Sequence, residues 1–306
     1  MKKIKIIGYA LVGLVALAAA VLLVVFQRNN VESQSMDETA RKSAPGKFIS
    51  LTGGITHYEV GGPDTTKTII LVHGFSVPYY IWGGTFDSLV QAGFHVIRYD
   101  EFGRGYSDRP DKAYTPSLYR TQLSDLITAL KLKAPLTLAG VSFGGAVVTD
   151  FAVHYPALVD KVILEDPVFN FRKAGAPEVV VNFYMALNHE KQATGQLDDF
   201  KYPALFPGWV EQYRPQMQYK GFRHALASTL INYSGDSIIA NYRKLNSLHK
   251  DVLLIWGTED QTVTYNFSDS LRKILKVDFL SVDDAGHLPH LEKPSLVNQR
   301  IISFLK

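Results

Sequence analysis

The segment Gly140-Val141-Ser142-Phe143-Gly144 sets a hydroxyl between two glycines, each two positions away. This G-x-S-x-G spacing suits a nucleophile carried on a sharp turn between a strand and a helix. A side chain on so tight a turn crowds the residues two before and two after it, so both must be small, and the strain lifts the hydroxyl clear of the backbone. Gly145 and Ala146 continue the run of small residues and let a following helix pack close to a sheet. Ser142 would also lie near the positive end of that helix, where developing negative charge is favoured. A serine hydroxyl is a poor nucleophile until an imidazole takes its proton, and the imidazole needs an acceptor on its other nitrogen. Downstream of Ser142 the chain offers Asp166, in Glu165-Asp166-Pro167, and Asp260, in Trp256-Gly257-Thr258-Glu259-Asp260, with Glu259 adjacent. It offers His287 and His290 in Asp284-Ala285-Gly286-His287-Leu288-Pro289-His290.

The surrounding pattern supplies elements that can position such groups. Thr68 to Val72, Phe94 to Tyr99, Leu136 to Val141, Val162 to Glu165, Val252 to Trp256 and Val277 to Val282 read as buried parallel strands. Phe48 to Leu51 and Ile55 to Val60, joined at Thr52-Gly53-Gly54, read as a hairpin. Leu118, Leu123, Leu126, Ile127 and Leu130 share one helical face behind a Thr115-Pro116 start. A further helix is expected from just after Ser142 to about His154, ahead of Pro156. Strands alternating with helices argue for a doubly wound α/β sheet. Residues 168–246 break the alternation with thirteen aromatics between Phe169 and Tyr242 and no strand-like run. They are expected to form an inserted helical cap whose aromatics singly pack as its own core and as a group suggest an apolar pocket roof. The core is therefore expected in two parts, 47–167 and 247–306.

Over about residues 47–306 the sequence resembles the α/β-hydrolase superfamily, and within it the serine esterases and lipases. His73-Gly74-Phe75 resembles the family's oxyanion loop, and the resemblance implies that the backbone N–H groups of Phe75 and Phe143 stabilise the oxyanion. In that family His73 supports the loop. Asp100-Glu101-Phe102-Gly103-Arg104-Gly105-Tyr106-Ser107-Asp108 resembles the turn after the fourth strand; its Gly103-x-Gly105 mimics a dinucleotide fingerprint, but position 108 is Asp and no helix opens there. The family's order of serine, acid and histidine implies a triad of Ser142, Asp260 and His287, with Asp166 the rarer placement of the acid and His290 the rival base. Dehalogenases and epoxide hydrolases of the fold carry Asp where this chain has Ser142, which argues against both. The triad fits carboxylesterases and lipases first, with carbon–carbon bond hydrolases and perhydrolases as alternatives and a non-catalytic binding protein as a remote one. The layout resembles membrane-anchored monoacylglycerol lipases, so apolar acyl esters or monoacylglycerol-like lipids are the expected substrates.

Composition removes other classes. The chain has 306 residues with 32 Lys and Arg against 29 Asp and Glu. Lys2, Lys3, Lys5 and Arg28 stand in the first thirty residues without an acid, so the rest holds 28 positive and 29 negative charges. Nucleic-acid binding calls for a basic patch on the folded part, and none stands out. With no cysteine there is no disulfide, thiolate nucleophile or Cys-ligated metal. No H-x-x-E-H or similar spacing supports a metal site, and no cofactor is implied.

Ile6 to Phe26 is an uncharged stretch of 21 residues, roughly 31 Å as a helix and so about the thickness of a bilayer's hydrocarbon core. A cleaved signal has a shorter apolar region and a small-x-small site; here Ala18-Ala19-Ala20 is followed by six more apolar residues, and Ser33 and Ser35 lie well past them. Residues 1–26 are therefore expected to be an uncleaved anchor, with secretion after cleavage as the alternative. Three lysines before the span against Arg28 after it favour a cytoplasmic N-terminus and an extracytoplasmic catalytic domain. Residues 27–46 show no apolar periodicity and are expected to be a flexible linker without a share in the core.

Overall fold

A computed structural model describes residues 2–171 and 173–306. In chain order it contains α1 (Lys2–Asn29), α2 (Glu38–Lys42), β1 (Lys47–Leu51), β2 (Gly54–Gly61), β3 (Thr68–Val72), α3 (Gly83–Gln91), β4 (His95–Tyr99), α4 (Pro116–Ala129), β5 (Leu136–Val141), α5 (Phe143–His154) and β6 (Val159–Glu165). After them come α6 (Glu178–Leu187), α7 (His189–Thr194), α8 (Trp209–Met217), α9 (Phe222–Asn232), α10 (Gly235–Ser247), β7 (Asp251–Gly257), α11 (Asn266–Arg272), β8 (Asp278–Val282), α12 (Pro289–Glu292) and α13 (Pro294–Leu305).

The eight strands form one sheet in the order β1-β2-β4-β3-β5-β6-β7-β8. The β1–β2 and β2–β4 pairs are antiparallel, and every later pair is parallel. Alternate residues feed two cores: Ile70, Val72, Leu138 and Leu254 join α4, α5, α10 and α11, whereas Ile69, Leu71, Val141 and Leu253 join α3 and α13. Period-2 side-chain direction with both faces covered is what makes these strands continuous apolar runs. Thr115 caps α4 by accepting from the Leu118 N–H, and Pro116 takes the first turn.

The parallel strands all end on one edge. His73-Gly74-Phe75 leaves β3, Ser142 leaves β5, Asp166 leaves β6, Asp260 follows β7 and His287 follows β8. Because β3, β5, β6, β7 and β8 are consecutive neighbours, residues 24 to 214 positions apart in sequence meet along one crevice at the strands' carboxyl ends.

Between β6 and β7 the described residues are helical or irregular. The expected cap is shorter than 168–246, however. Ile238, Tyr242 and Leu245 of α10 lie i, i+4, i+7 on one stripe, pack in the same core as α5, and make α10 a sheet-covering helix. The aromatics also divide: Trp209, Tyr213 and Phe222 are buried in the cap's own packing against the sheet.

The segment expected as a flexible linker is seated on the cap. Its start continues α1 to Asn29. Ser33 and Gln34 N–H groups donate to the Gln218 carbonyl at 2.9 Å, and Lys220 N–H donates to the Gln34 carbonyl at 2.8 Å. Glu32 accepts from the N–H groups of Gly221 at 3.2 Å and Arg223 at 2.6 Å. The physical reason is that α9 begins at a glycine with no side chain of its own to cap it, so a carboxylate from far upstream meets its exposed N–H groups and positive end. Polar pairing of this kind has no hydrophobic period and left no trace in the sequence pattern.

Candidate active site

Ser142 sits at φ 55°, ψ −120°, between β5 and α5. Its N–H donates to the Glu165 carbonyl and its own carbonyl accepts from Val168 N–H, which clamps the turn from both sides. A Cβ on Gly140 would stand 2.3 Å from the Gly144 carbonyl oxygen. A Cβ on Gly144 would stand 2.4 Å from the Val72 oxygen and 2.5 Å from that of His73. Neither position can hold a side chain while the turn keeps this shape, and the strained φ persists because the neighbours over-determine it.

The loop after β3 passes over the serine: a Cβ on Gly74 would lie 3.9 Å from Ser142 Oγ. His73 holds this loop. Its Nε2 accepts from Glu101 N–H at 2.9 Å, so Nδ1 carries the proton and donates to the Gly74 carbonyl at 2.7 Å. Complete burial pushes its pKa down to about 4, keeping it neutral. Phe143 opens α5, where the first N–H groups of a helix have no intrahelical partner. The rings of Phe75 and Phe143 meet edge to face at 6.0 Å.

His287 is buried, and its Nδ1 lies 2.7 Å from Asp260 Oδ2. Asp260 is fixed in turn, Oδ1 accepting from the N–H groups of Thr262 at 2.8 Å and Val263 at 2.9 Å. The imidazole therefore donates from Nδ1 and keeps Nε2 as its other nitrogen. Burial works against protonation of this ring, but the facing Asp260 carboxylate outweighs it and the pKa rises above the ordinary 6.5. His287 N–H also donates to the Asp199 carbonyl at 2.7 Å, tying the last-strand loop to the cap.

The rival residues are placed otherwise. Asp166, at φ 41°, accepts from Gly257 N–H at 2.9 Å and lies behind Asp260, the two carboxylates and His287 coming within 4.8 Å of one another. Burial first, and then the nearby Asp260 carboxylate, raise its pKa well above the carboxylate range, which favours the protonated form of Asp166. His290 has both ring nitrogens engaged, with Glu165 Oε1 and the Ile81 carbonyl. Glu259 is exposed and faces Lys201 at 3.5 Å.

Ser142 and His287 line one cavity of about 410 Å³ together with Gly74, Phe75, Gln196 and Asp199. Its roof, from Gly195 to Asp199, is polar, against the expectation of an aromatic one. The aromatic character lies to one side, where Phe171 approaches Phe75 at 6.3 Å, Phe143 at 5.9 Å and Tyr233 at 6.2 Å.

Residues 69–300 match the alpha/beta hydrolase family. The chain belongs to that family. This alpha/beta hydrolase is 26% identical over 282 residues to the AB hydrolase superfamily protein YfhM of Bacillus subtilis, covering 85% of this chain and 97% of that one. It is 25% identical over 276 residues to Lipase 1 of Psychrobacter immobilis, covering 85% and 84%. In fold it is similar to the meta-cleavage product hydrolase of Pseudomonas fluorescens, at a TM-score of 0.69 and 23% identity over 85% of this chain and 97% of that one.

Three contributors at the edge of this hydrolase's site had no sequence signal of their own. Arg104, inside the Gly103-x-Gly105 stretch, is fully buried and donates from Nε to the Phe75 carbonyl at 2.9 Å. A charged residue between two glycines gives no hint of burial. Gln196 and Asp199 lie i, i+3 on one short 3₁₀ turn, too brief for an apolar pattern to mark it.

Proposed function

We propose that the protein hydrolyses carboxylic esters through an acyl-enzyme. The observation that carries this reading is His287, clamped by Asp260 and sharing a cavity with a serine held at a strained strand–helix turn. Ser142 Oγ attacks the ester carbonyl as His287 Nε2 takes its proton, and the N–H groups of Phe75 and Phe143 receive the negative oxygen. The imidazolium, held by Asp260, then gives its proton to the departing alcohol. Water repeats the sequence on the acyl-enzyme and frees the acid.

The cavity suggests the substrate. Gln196, Asp199, Gln261 and Thr262 place polar groups around His287, where the alcohol leaves, and the Phe75, Phe143, Phe171 and Tyr233 cluster stands beside the serine. A polar alcohol with an apolar acyl chain, such as a monoacylglycerol, meets both halves. The run Lys5–Asn29 is long and apolar enough to cross a membrane, and its most apolar stretch is not buried in the protein. We take it as an anchor with its N-terminus in the cytoplasm, which sets the catalytic domain outside and beside the lipid.

A ladder of p-nitrophenyl esters assayed with monoacylglycerols tests the chemistry. Turnover of both, with Ser142→Ala lower by on the order of 10⁴-fold or more and still folded, supports it. An active Ser142→Ala variant removes the nucleophile. Resistance of the full-length protein to carbonate extraction tests the anchor, and a mature N-terminus past residue 35 would make the segment an export signal.

A further inference from the structure

We infer that α6 is a second membrane contact, lying in the headgroup–acyl boundary beside the end of α1; this rests on the reading of α1 as a span. Helix α6 exposes apolar side chains where a soluble cap would carry polar ones: Val179 is 75% exposed, Val180 52%, Tyr184 61% and Leu187 39%. These positions, spaced i, i+1, i+5 and i+8, make one stripe along the helix. The one charged residue of α6, Glu178, is paired with His224 Nδ1.

The occupant of that stripe follows from what lies next to it. Phe26 of α1 stacks on Phe183 of α6 with centroids 6.0 Å apart and planes at 16°. Leu22, Leu23, Phe26, Val179 and Phe183 line a groove of about 580 Å³ between the two helices. Helix α6 therefore sits level with Leu22 to Phe26, the last apolar turn of the span before Gln27, Arg28 and Asn29. At a rise of about 1.5 Å per residue that level runs from the boundary at Phe26 to some 6 Å inside it at Leu22, reaching the roughly 5–10 Å at which interfacial helices lie. A face at that depth meets lipid. Tyr184, an amphipathic ring on the stripe, suits that level. Arg223 lies over the Phe26 ring at 5.4 Å and donates to Asn30, so α1 is held to the cap at this point.

The consequence is a cap fixed in orientation to the bilayer. Through α7 it leads into the Gly195–Asp199 turn that roofs the catalytic cavity.

The chain has no native cysteine, so single sites can be labelled in the full-length protein. We would introduce Leu17→Cys in the span, Val180→Cys on α6 and Lys133→Cys at the opposite end of the sheet, attach an environment-sensitive fluorophore, and reconstitute each into phosphatidylcholine–phosphatidylglycerol vesicles carrying doxyl-labelled phospholipid. The inference expects strong quenching at 17 by deep doxyl, strong quenching at 180 by shallow doxyl, and little at 133. Quenching at 17 without quenching at 180 overturns the inference and leaves the anchor standing. Absence of quenching at 17 overturns the anchor and the inference with it. Protection at 180 that follows protein density instead of doxyl would assign the stripe to a second copy of the chain, which also overturns it.

Discussion

Arg104 donates from Nε to the backbone carbonyl of Phe75 at 2.9 Å, so the turn after the fourth strand holds the loop that crosses over Ser142. The same guanidinium donates from Nη1 to Tyr119 Oη and from Nη2 to Thr229 Oγ1, linking sheet, α4 and cap through one buried cation.

Replacing Arg104 with Lys keeps the charge and loses the fork. The variant should lose about tenfold or more in kcat with little change in KM, since the loop's N–H groups act on the transition state. Steady-state kinetics beside a thermal melt checks this; an equal loss for unfolding and activity would make Arg104 merely structural.

The two carboxylates behind His287 should behave differently. Asp260→Asn removes the acceptor that orients the imidazole and should cost on the order of 10⁴-fold in kcat. Burial and the Asp260 carboxylate raise the Asp166 pKa and favour its protonated form, so Asp166→Asn should change the charge beside His287 little. The free imidazole is the active form, hence activity rises with pH through the His287 pKa, above 6.5 in the parent. That limb should stay in place in Asp166→Asn. A dead Asp166→Asn, or a limb that falls with it, would move the acid to β6.

Glu101 is buried with neither carboxyl oxygen bonded, and burial, partly opposed by Arg104, pushes its pKa up from 4.5 to about 8. An acid whose folded pKa is raised contributes stability present below about pH 4.5 and lost as pH rises towards 8. Glu101→Gln should therefore flatten the fall in Tm between pH 5 and 8. A fall as steep as the parent's would mean the carboxyl ionises in place.

Glu32 joins the pre-domain segment to α9. Losing a carboxylate at a helix start costs roughly 0.5–2 kcal/mol. Glu32→Ala should lower Tm measurably, and a chain starting near Gly46 should melt below one starting near Asn29. Equal melting would restore the free-linker reading.

The sequence made the strand–helix order and the turn at Ser142 legible because both rest on short-range sterics: alternation, buried runs and two glycines whose side chains would collide with backbone. It also placed Asp260 and His287 just past strands, where the topology brings them together. What it hid is long-range and polar. The seating of Glu32 on α9, the burial of Arg104 and the seating of Asp166 under Gly257 each depend on partners distant in sequence, and none leaves a period. The aromatic cap misled for a related reason, since composition could not separate rings that pack inward, such as Trp209 and Tyr213, from those beside the serine.

Labelling by a fluorophosphonate, followed by peptide mapping, tests most directly the claim that Ser142 is an activated nucleophile. The account predicts a single adduct on the peptide containing Ser142, absent from Ser142→Ala and greatly slowed in His287→Gln. A folded protein that takes no adduct, or takes it on another residue, would contradict it.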